Sequence, residues 1–193
     1  MKNLLLKRSP GAFAACALAA VVLGLAIPCR AQEDVIPYGA GGYRYQSYAD
    51  LSAVPADWAS PAFNESGLAD GVMPFGSWEL GGAGCPLAAE AKTVWPPLST
   101  LLVRRTFVLP RGARDVTIHL GVDNDALVAV NGNRLGDWIH HEYCPVRDEF
   151  FYDVPAEFLN SSGNNMLAVL AHDEGAESWI DVRLTVSGVS PLR

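Results

Sequence analysis

One stretch, Gly121-Val-Asp-Asn-Asp-Ala-Leu-Val-Ala-Val-Asn-Gly132, constrains the fold more than any other part of the chain. It lies between two runs of strict apolar alternation. Val116, Ile118, Leu120 and Val122 alternate with Thr117, His119 and Gly121, and Ile180, Val182, Leu184 and Val186 alternate with Trp179, Asp181, Arg183 and Thr185. A period of two buries one face of an extended segment. Between the runs, Asp123-Asn124-Asp125 reads as an acidic turn, because such side chains bond their own backbone. Asn131-Gly132 is the strongest short hairpin signal and pairs residues 126–130 with 134–139. Further strands are expected at 101–109, at 149–154 before Pro155, and at 165–172 after Asn160-Ser161-Ser162-Gly163. Only 155–159 looks like a helical turn. Six or more strands with short turns predict an all-β chain, an antiparallel β-sandwich or jelly roll.

Residues 1–31 stand apart from this pattern. Lys2, Lys7 and Arg8 precede an apolar run over 11–27, and small residues lead to Ala31, which reads as a cleaved signal peptide. About 17 apolar residues is also the lower limit of a membrane span, so an uncleaved anchor is the competing reading. Acylation at Cys29 is a third, set back by Pro28 where a small residue is expected. After cleavage, residues 32–193 form one domain with no membrane span, exported to the periplasm, the cell surface or the medium. That part keeps all 21 acidic residues but only 10 of the 14 basic ones, with Lys92 its single lysine. A surface so acidic repels phosphate backbones and excludes nucleic acid as a partner.

Export also bears on the cysteines. Cys85 and Cys144 remain after cleavage and pair most simply as a disulfide. The alternative, a Cys/Cys/His zinc site with His140 or His141, lacks paired CxxC spacing. In the Gly- and Pro-rich part before residue 97, Trp58, Phe63, Phe75 and Trp78 are candidate packing anchors. Gly81-Gly82-Ala83-Gly84 is a turn region and not a phosphate loop, since no Gly-Lys-Ser/Thr follows. Arg104 and Arg105 are consecutive in a strand, so one leans toward the core and needs a carboxylate.

Several short motifs occur in order: Met73-Pro74-Phe75-Gly76, Thr93-Val94-Trp95-Pro96, Leu102-Val103-Arg104-Arg105-Thr106-Phe107, Val122-Asp123-Asn124-Asp125 and Val130-Asn131-Gly132. Gly163-Asn164, Leu167-Ala168-Val169 and Trp179-Ile180-Asp181 follow. From about Trp58 to Val186 the chain resembles the galactose-binding-domain-like superfamily, the jelly-roll modules of carbohydrate-binding modules and large glycosidases. The resemblance implies a sandwich that binds ligands with loops at one end, and many members hold structural calcium. The matched segments are strand and turn signals, so it assigns no ligand-binding residue.

The densest chemistry lies in residues 137–144. Trp138 and Tyr143 offer flat faces for a sugar ring, while His140, His141 and Glu142 can hydrogen-bond hydroxyls. Adjacent strand residues point to opposite faces, which argues against chelation by both histidines. The plainer reading is a loop pinned by a disulfide. Asp123 and Asp125 could give oxygen ligands to calcium, with Asp70 and Asp181 as further candidates. The plainer reading makes these a turn and solvent-facing acids. No cofactor is required, and structural calcium is the one metal considered. His119 and His172 read as ordinary polar strand residues.

Catalysis has little support, as there is no Gly-x-Ser-x-Gly elbow and no cysteine left free beside a disulfide. The first expectation is an exported, non-catalytic module binding carbohydrate or another polar ligand through end loops. The second is a structural or adhesion subunit whose sandwich faces dock protein partners. The third is a small secreted hydrolase using residues 140–142.

Overall fold

A computed structural model describes residues 32–77 and 84–188. The expected signal peptide, Trp78 and residues 81–83 lie outside the described residues. The rest is nearly all strand: β1 (Glu33–Ile36), β2 (Tyr43–Tyr48), β3 (Ala69–Gly71), β4 (Phe75–Ser77), β5 (Thr93–Val94), β6 (Thr100–Val108), β7 (Arg114–Val130), β8 (Asn133–Arg134), β9 (Ile139–His141), β10 (Phe150–Asp153), β11 (Asn164–His172) and β12 (Ser178–Ser187). Short 3₁₀ turns occur at Leu51–Ala53, Glu65–Gly67, Ala88–Glu90 and Ala156–Phe158. The last is the helical turn expected at 155–159.

The strand β7 organises the rest. Its first half pairs with β12 and β10, and its second half with β11, β8 and β9. One sheet therefore runs β10-β7-β12-β4-β5, with β1 also on β12, and the other runs β3-β2-β6-β11-β7 with β8 and β9 on its far edge. The result is a β-sandwich of jelly-roll type, curved toward a barrel and antiparallel except for the β4–β5 pair.

The acidic turn expected at Asp123-Asn124-Asp125 does not form. Asp123 pairs with Trp179, Asn124 with His141, and Asp125 with both His140 and His172, so every backbone there has a ladder partner and no reversal is required. The Asn124 side chain serves neighbouring loops, accepting from Glu174 N at 2.7 Å and donating to the His141 carbonyl at 3.1 Å. The Asn131-Gly132 hairpin does form, with both residues at positive φ (50° and 86°) as its tight turn requires. The returning strand is broken: β8 ends at Arg134, and Gly136 to Trp138 loop out before β9.

Alternation supplies the core. Ile118, Leu120, Val122, Ile180, Val182 and Leu184 are fully buried between the sheets with Val103, Val169 and Trp95. The opposite face of the second sheet is also apolar in part. There Leu102, Leu127, Ala129, Ala168 and Leu170 are covered by Trp58, with Val54, Ala59 and Phe63 packed around it. Trp58, Phe63 and Phe75 thus anchor packing as expected.

The consecutive arginines divide as period two demands, with an unexpected outcome. Arg105 points between the sheets, over the Tyr43 ring at 5.1 Å. The fully buried one is Arg104, on the outer side beneath the 58–65 segment. It donates to Glu65 Oε1 at 2.7 Å, to the Ser60 carbonyl at 2.9 Å and to the Trp58 carbonyl, and lies over Phe63. The carboxylate comes from a loop, because only a folded-over cover can desolvate that face. Removing it strands a buried cation. Glu65→Ala should lower stability by roughly 3 kcal/mol in urea unfolding. Asp70→Ala, which removes an exposed partner of Arg44, should stay within about 0.5 kcal/mol.

Candidate functional site

β9 carries the chemistry, and its side chains alternate as an edge strand should. His140 is half exposed, donating from Nδ1 to Asp125 Oδ1 at 2.6 Å and meeting Glu142 Oε1 from Nε2 at 3.3 Å. These hydrogen bonds, first to Asp125 and then to Glu142, raise its pKa above the ordinary imidazole value. His141 turns the other way. It is largely buried, with Nε2 3.2 Å from Glu149 Oε1 and its ring edge-on to Phe150 and Tyr143. The pair diverges, so two of the expected ligand groups share a surface and His141 does not. Trp138 is 39 % exposed and Tyr143 is 75 % exposed, one on either side of β9.

Cys85 and Cys144 form a disulfide across 59 residues. It joins the segment after residue 84 to the segment after β9, and Arg147 adds a 2.5 Å ion pair to Glu90. Glu177 accepts from the amides of Gly84 (3.1 Å) and Cys85 (2.9 Å). With its thiols joined, the pair offers no ligand to zinc.

These segments lie over the outer face of the first sheet. A side chain at Gly121 would collide with the Val146 carbonyl, so this glycine is needed for close approach of the loop. Trp179 is buried beneath, with the Arg147 guanidinium 5.9 Å above its ring. Asp181, expected to face solvent, is fully buried. It accepts from Gly39 N at 3.1 Å and Val182 N at 2.9 Å, and burial pushes its pKa up to about 6 against those bonds and Arg147. The alternation placed Asp181 on the face away from the core, but a second layer of loops covers that face.

Beside it is a constellation that sequence order conceals. The Thr185 hydroxyl is 3.0 Å from His119 Nε2, and His119 Nδ1 is 3.1 Å from Asp148 Oδ1. This is the order hydroxyl, imidazole, carboxylate, and burial lowers the His119 pKa, favouring the neutral ring. Thr185 is fully buried, however, and bonded to Gln32 Nε2 as well. No substrate reaches it in this arrangement. Strand register sets Arg183, not Thr185, opposite His119, and Asp148 lies outside the strands, so neither periodicity nor register signals the set.

The four calcium candidates are not brought together. Asp70 pairs with Arg44 at 2.7 Å, Asp125 holds His140, Asp181 caps Gly39, and Asp123 lies buried near Asp173 and Glu177. Among the described residues no group of three His, Cys, Asp or Glu side chains is placed to hold a metal. Burial, reinforced by Asp173 and Glu177, pushes the Asp123 carboxyl up to about 7. Asp173 is raised by burial too.

No protein-family model matches the sequence, and no curated protein does. Solved structures do match in fold. A β-glucuronidase of Bacteroides uniformis superposes with a TM-score of 0.55 at 18 % identity, covering 81 % of this chain and 18 % of that one. A glycosyl hydrolase family 2 member from Bacteroides cellulosilyticus gives 0.52 at 16 % identity, covering 80 % and 20 %. The β-glucuronidase of Ruminococcus gnavus gives 0.51 at 9 %, covering 82 % and 29 %. The chain thus spans 18 % to 29 % of the length of these enzymes, and what it shares with them is the sandwich.

Two outcomes follow for stability. Asp123 and Asp181 titrate near 7 and 6 when folded, against about 4 when unfolded, so the folded state binds more protons between those values. Their contribution is complete below the unfolded value and is lost as pH rises through the folded one. Asp173 and His140 add the same sign. His119, lowered, has the opposite one and loses stability as pH falls through its unfolded value near 6.5. With more groups raised than lowered, the Tm by scanning calorimetry should be higher at about pH 5.5 than at about pH 8, and Asp123→Asn should flatten the upper limb. A wild-type Tm that climbs with pH would contradict this balance. Separately, Cys85→Ser with Cys144→Ser should lower unfolding free energy by about 4 kcal/mol on the chain-entropy account.

Proposed function

We propose that the chain is an exported, non-catalytic binding module of the galactose-binding-like kind, recognising carbohydrate or another polar ligand at β9 and the loop after it. The observation that carries this reading is the display on and around β9: Trp138 before it, His140 on it and Glu142 and Tyr143 after it are all exposed, on a strand fixed by its ladder to β7 and a loop tied by the disulfide. Large flat side chains beside hydrogen-bonding groups suit sugar rings, which present apolar faces and hydroxyl rims. A site held by a strand and a disulfide loses little freedom on binding. The fold likeness to part of several β-glucuronidases supports a carbohydrate-related role.

Two observations weigh between the rivals. The buried Thr185 hydroxyl supports a module without catalysis. Docking of protein partners on the sandwich faces is disfavoured, since loops cover much of the outer face of the first sheet and the Trp58 segment covers part of the second. Export is supported by the basic-apolar start of the sequence and by the disulfide, a bond that persists in oxidising compartments.

A glycan array with the processed protein should give saturable binding, alike in calcium and in chelator. Trp138→Ala and Tyr143→Ala should each weaken it by about tenfold, the loss of roughly 1.4 kcal/mol of ring contact. Blank arrays in both conditions would end the carbohydrate reading.

A further inference from the structure

Strand register shows more of the surface around His140 than the sequence does. His140 pairs with Asp125, Asp125 with His172, His172 with Thr100, and Thr100 with Tyr48. Direct cross-strand partners share a face, so these five side chains form one row across β9, β7, β11, β6 and β2. The face is the outer one, because Asp125, His172 and Thr100 stand two residues from Leu127, Leu170 and Leu102, which pack under Trp58. Trp58 and its neighbours cover the apolar rows. The polar row lies one pleat beyond them: His140 is exposed, His172 is half-buried, Tyr48 is half-buried against the Trp58 cluster, and Thr100 is fully buried. Neighbouring strands are about 4.8 Å apart, so five strands give a strip about 19 Å long.

We propose that the ligand lies along this strip, from His140 to Tyr48, and that it is an uncharged oligosaccharide chain and not an acidic one. This rests on the binding reading above and names its ligand class. The side chains are already held in place: His140 by Asp125 and Glu142, and His172 by Thr100 Oγ1 at 2.9 Å from Nδ1. The row is long, with His140 exposed at one end and His172 and Tyr48 half-buried, matching a chain of sugar units better than one small molecule.

Charge selects the chemistry. Asp125 and Glu142 flank His140 at one end, and Asp50 stands near His172 at the other, bonded to Ser52 N at 2.8 Å. Three arginines share this face: Arg104 is buried on Glu65, Arg44 is paired with Asp70, and Arg134 stands on β8 opposite Ala129, four residues along β7 from the row of Asp125. Among the described residues, no guanidinium or ammonium on the strip is left to receive a carboxylate or sulfate. Acceptor oxygens suit hydroxyl donors, and an anionic sugar would meet like charge.

Calorimetric titration of the processed protein tests this. One arm uses neutral gluco-, manno-, galacto- and xylo-oligosaccharides of increasing length, and the other uses glucuronate and galacturonate oligomers. The expected result is binding to a neutral series that tightens with length, with no detectable uronate binding. His172→Ala, Asp125→Asn and Tyr48→Ala should each weaken it by about tenfold, each with wild-type circular dichroism. His172 ring protons should shift on titration in NMR, which keeps the test valid should one variant misfold. Uronate binding as tight as neutral binding overturns the ligand class but leaves the module reading. Neutral binding that survives the His172 and Tyr48 changes yet fails in Tyr143→Ala overturns the strip and leaves the loop as the site. No binding in either arm overturns both.

Discussion

The structure depends on one strand satisfying its backbone in two sheets at once. Over seventeen residues, β7 is the partner of β10 and β12 and then of β11, β8 and β9. A buried amide or carbonyl left unpaired costs about 1–3 kcal/mol, so a segment with ladder partners on both sides for most of its length has little freedom to do anything else. That constraint turns Asp123-Asn124-Asp125 from an expected turn into the crossing between sheets. It brings Asp125 beside His140 on one side and His172 on the other. It also carries Asp123 beneath the loops where its carboxyl is desolvated.

Coverage is the second determinant. Each sheet has one face in the shared core, and each outer face has some cover of its own. Over the first sheet the cover is loop backbone and charged side chains, drawn close by Gly121 and tied by the disulfide. Over the second it is an aromatic patch with Arg104 trapped beneath it. Burying polar groups under loops requires partners for them, which explains the density of carboxylate-to-amide bonds from Asp181, Glu177 and Asp173. On β9 and beside it His140, Glu142, Trp138 and Tyr143 stay exposed.

Much of the fold is legible in the residues. The runs at 116–122 and 180–186 are strands with the expected inward set, the Asn131-Gly132 hairpin is in place, and the segments at 101–109, 149–154 and 165–172 match β6, β10 and β11 within a residue or so. The candidate site is legible only in part. His140 and Glu142 meet on one side of β9, while His141 faces Phe150, Glu149 and Tyr143. His172 and Tyr48 carried no sequence signal as ligand groups, because nothing local links them to His140. Asp181 was misplaced because alternation separates two faces without saying which of them meets water.

Period-two patterning, turn chemistry and the cysteine count are local properties, and from them the sequence alone determined an all-β sandwich, the strands at 101–109, 149–154 and 165–172 and the choice of cysteines to join. Register and layering belong to the assembled molecule. Which strand lies beside which, and which loops fold over which face, depend on contacts between residues far apart in the chain. Only the tertiary structure therefore decided that Asp125 and His172 would be neighbours, that Asp181 would be buried, and that Arg104 would be the arginine held dry.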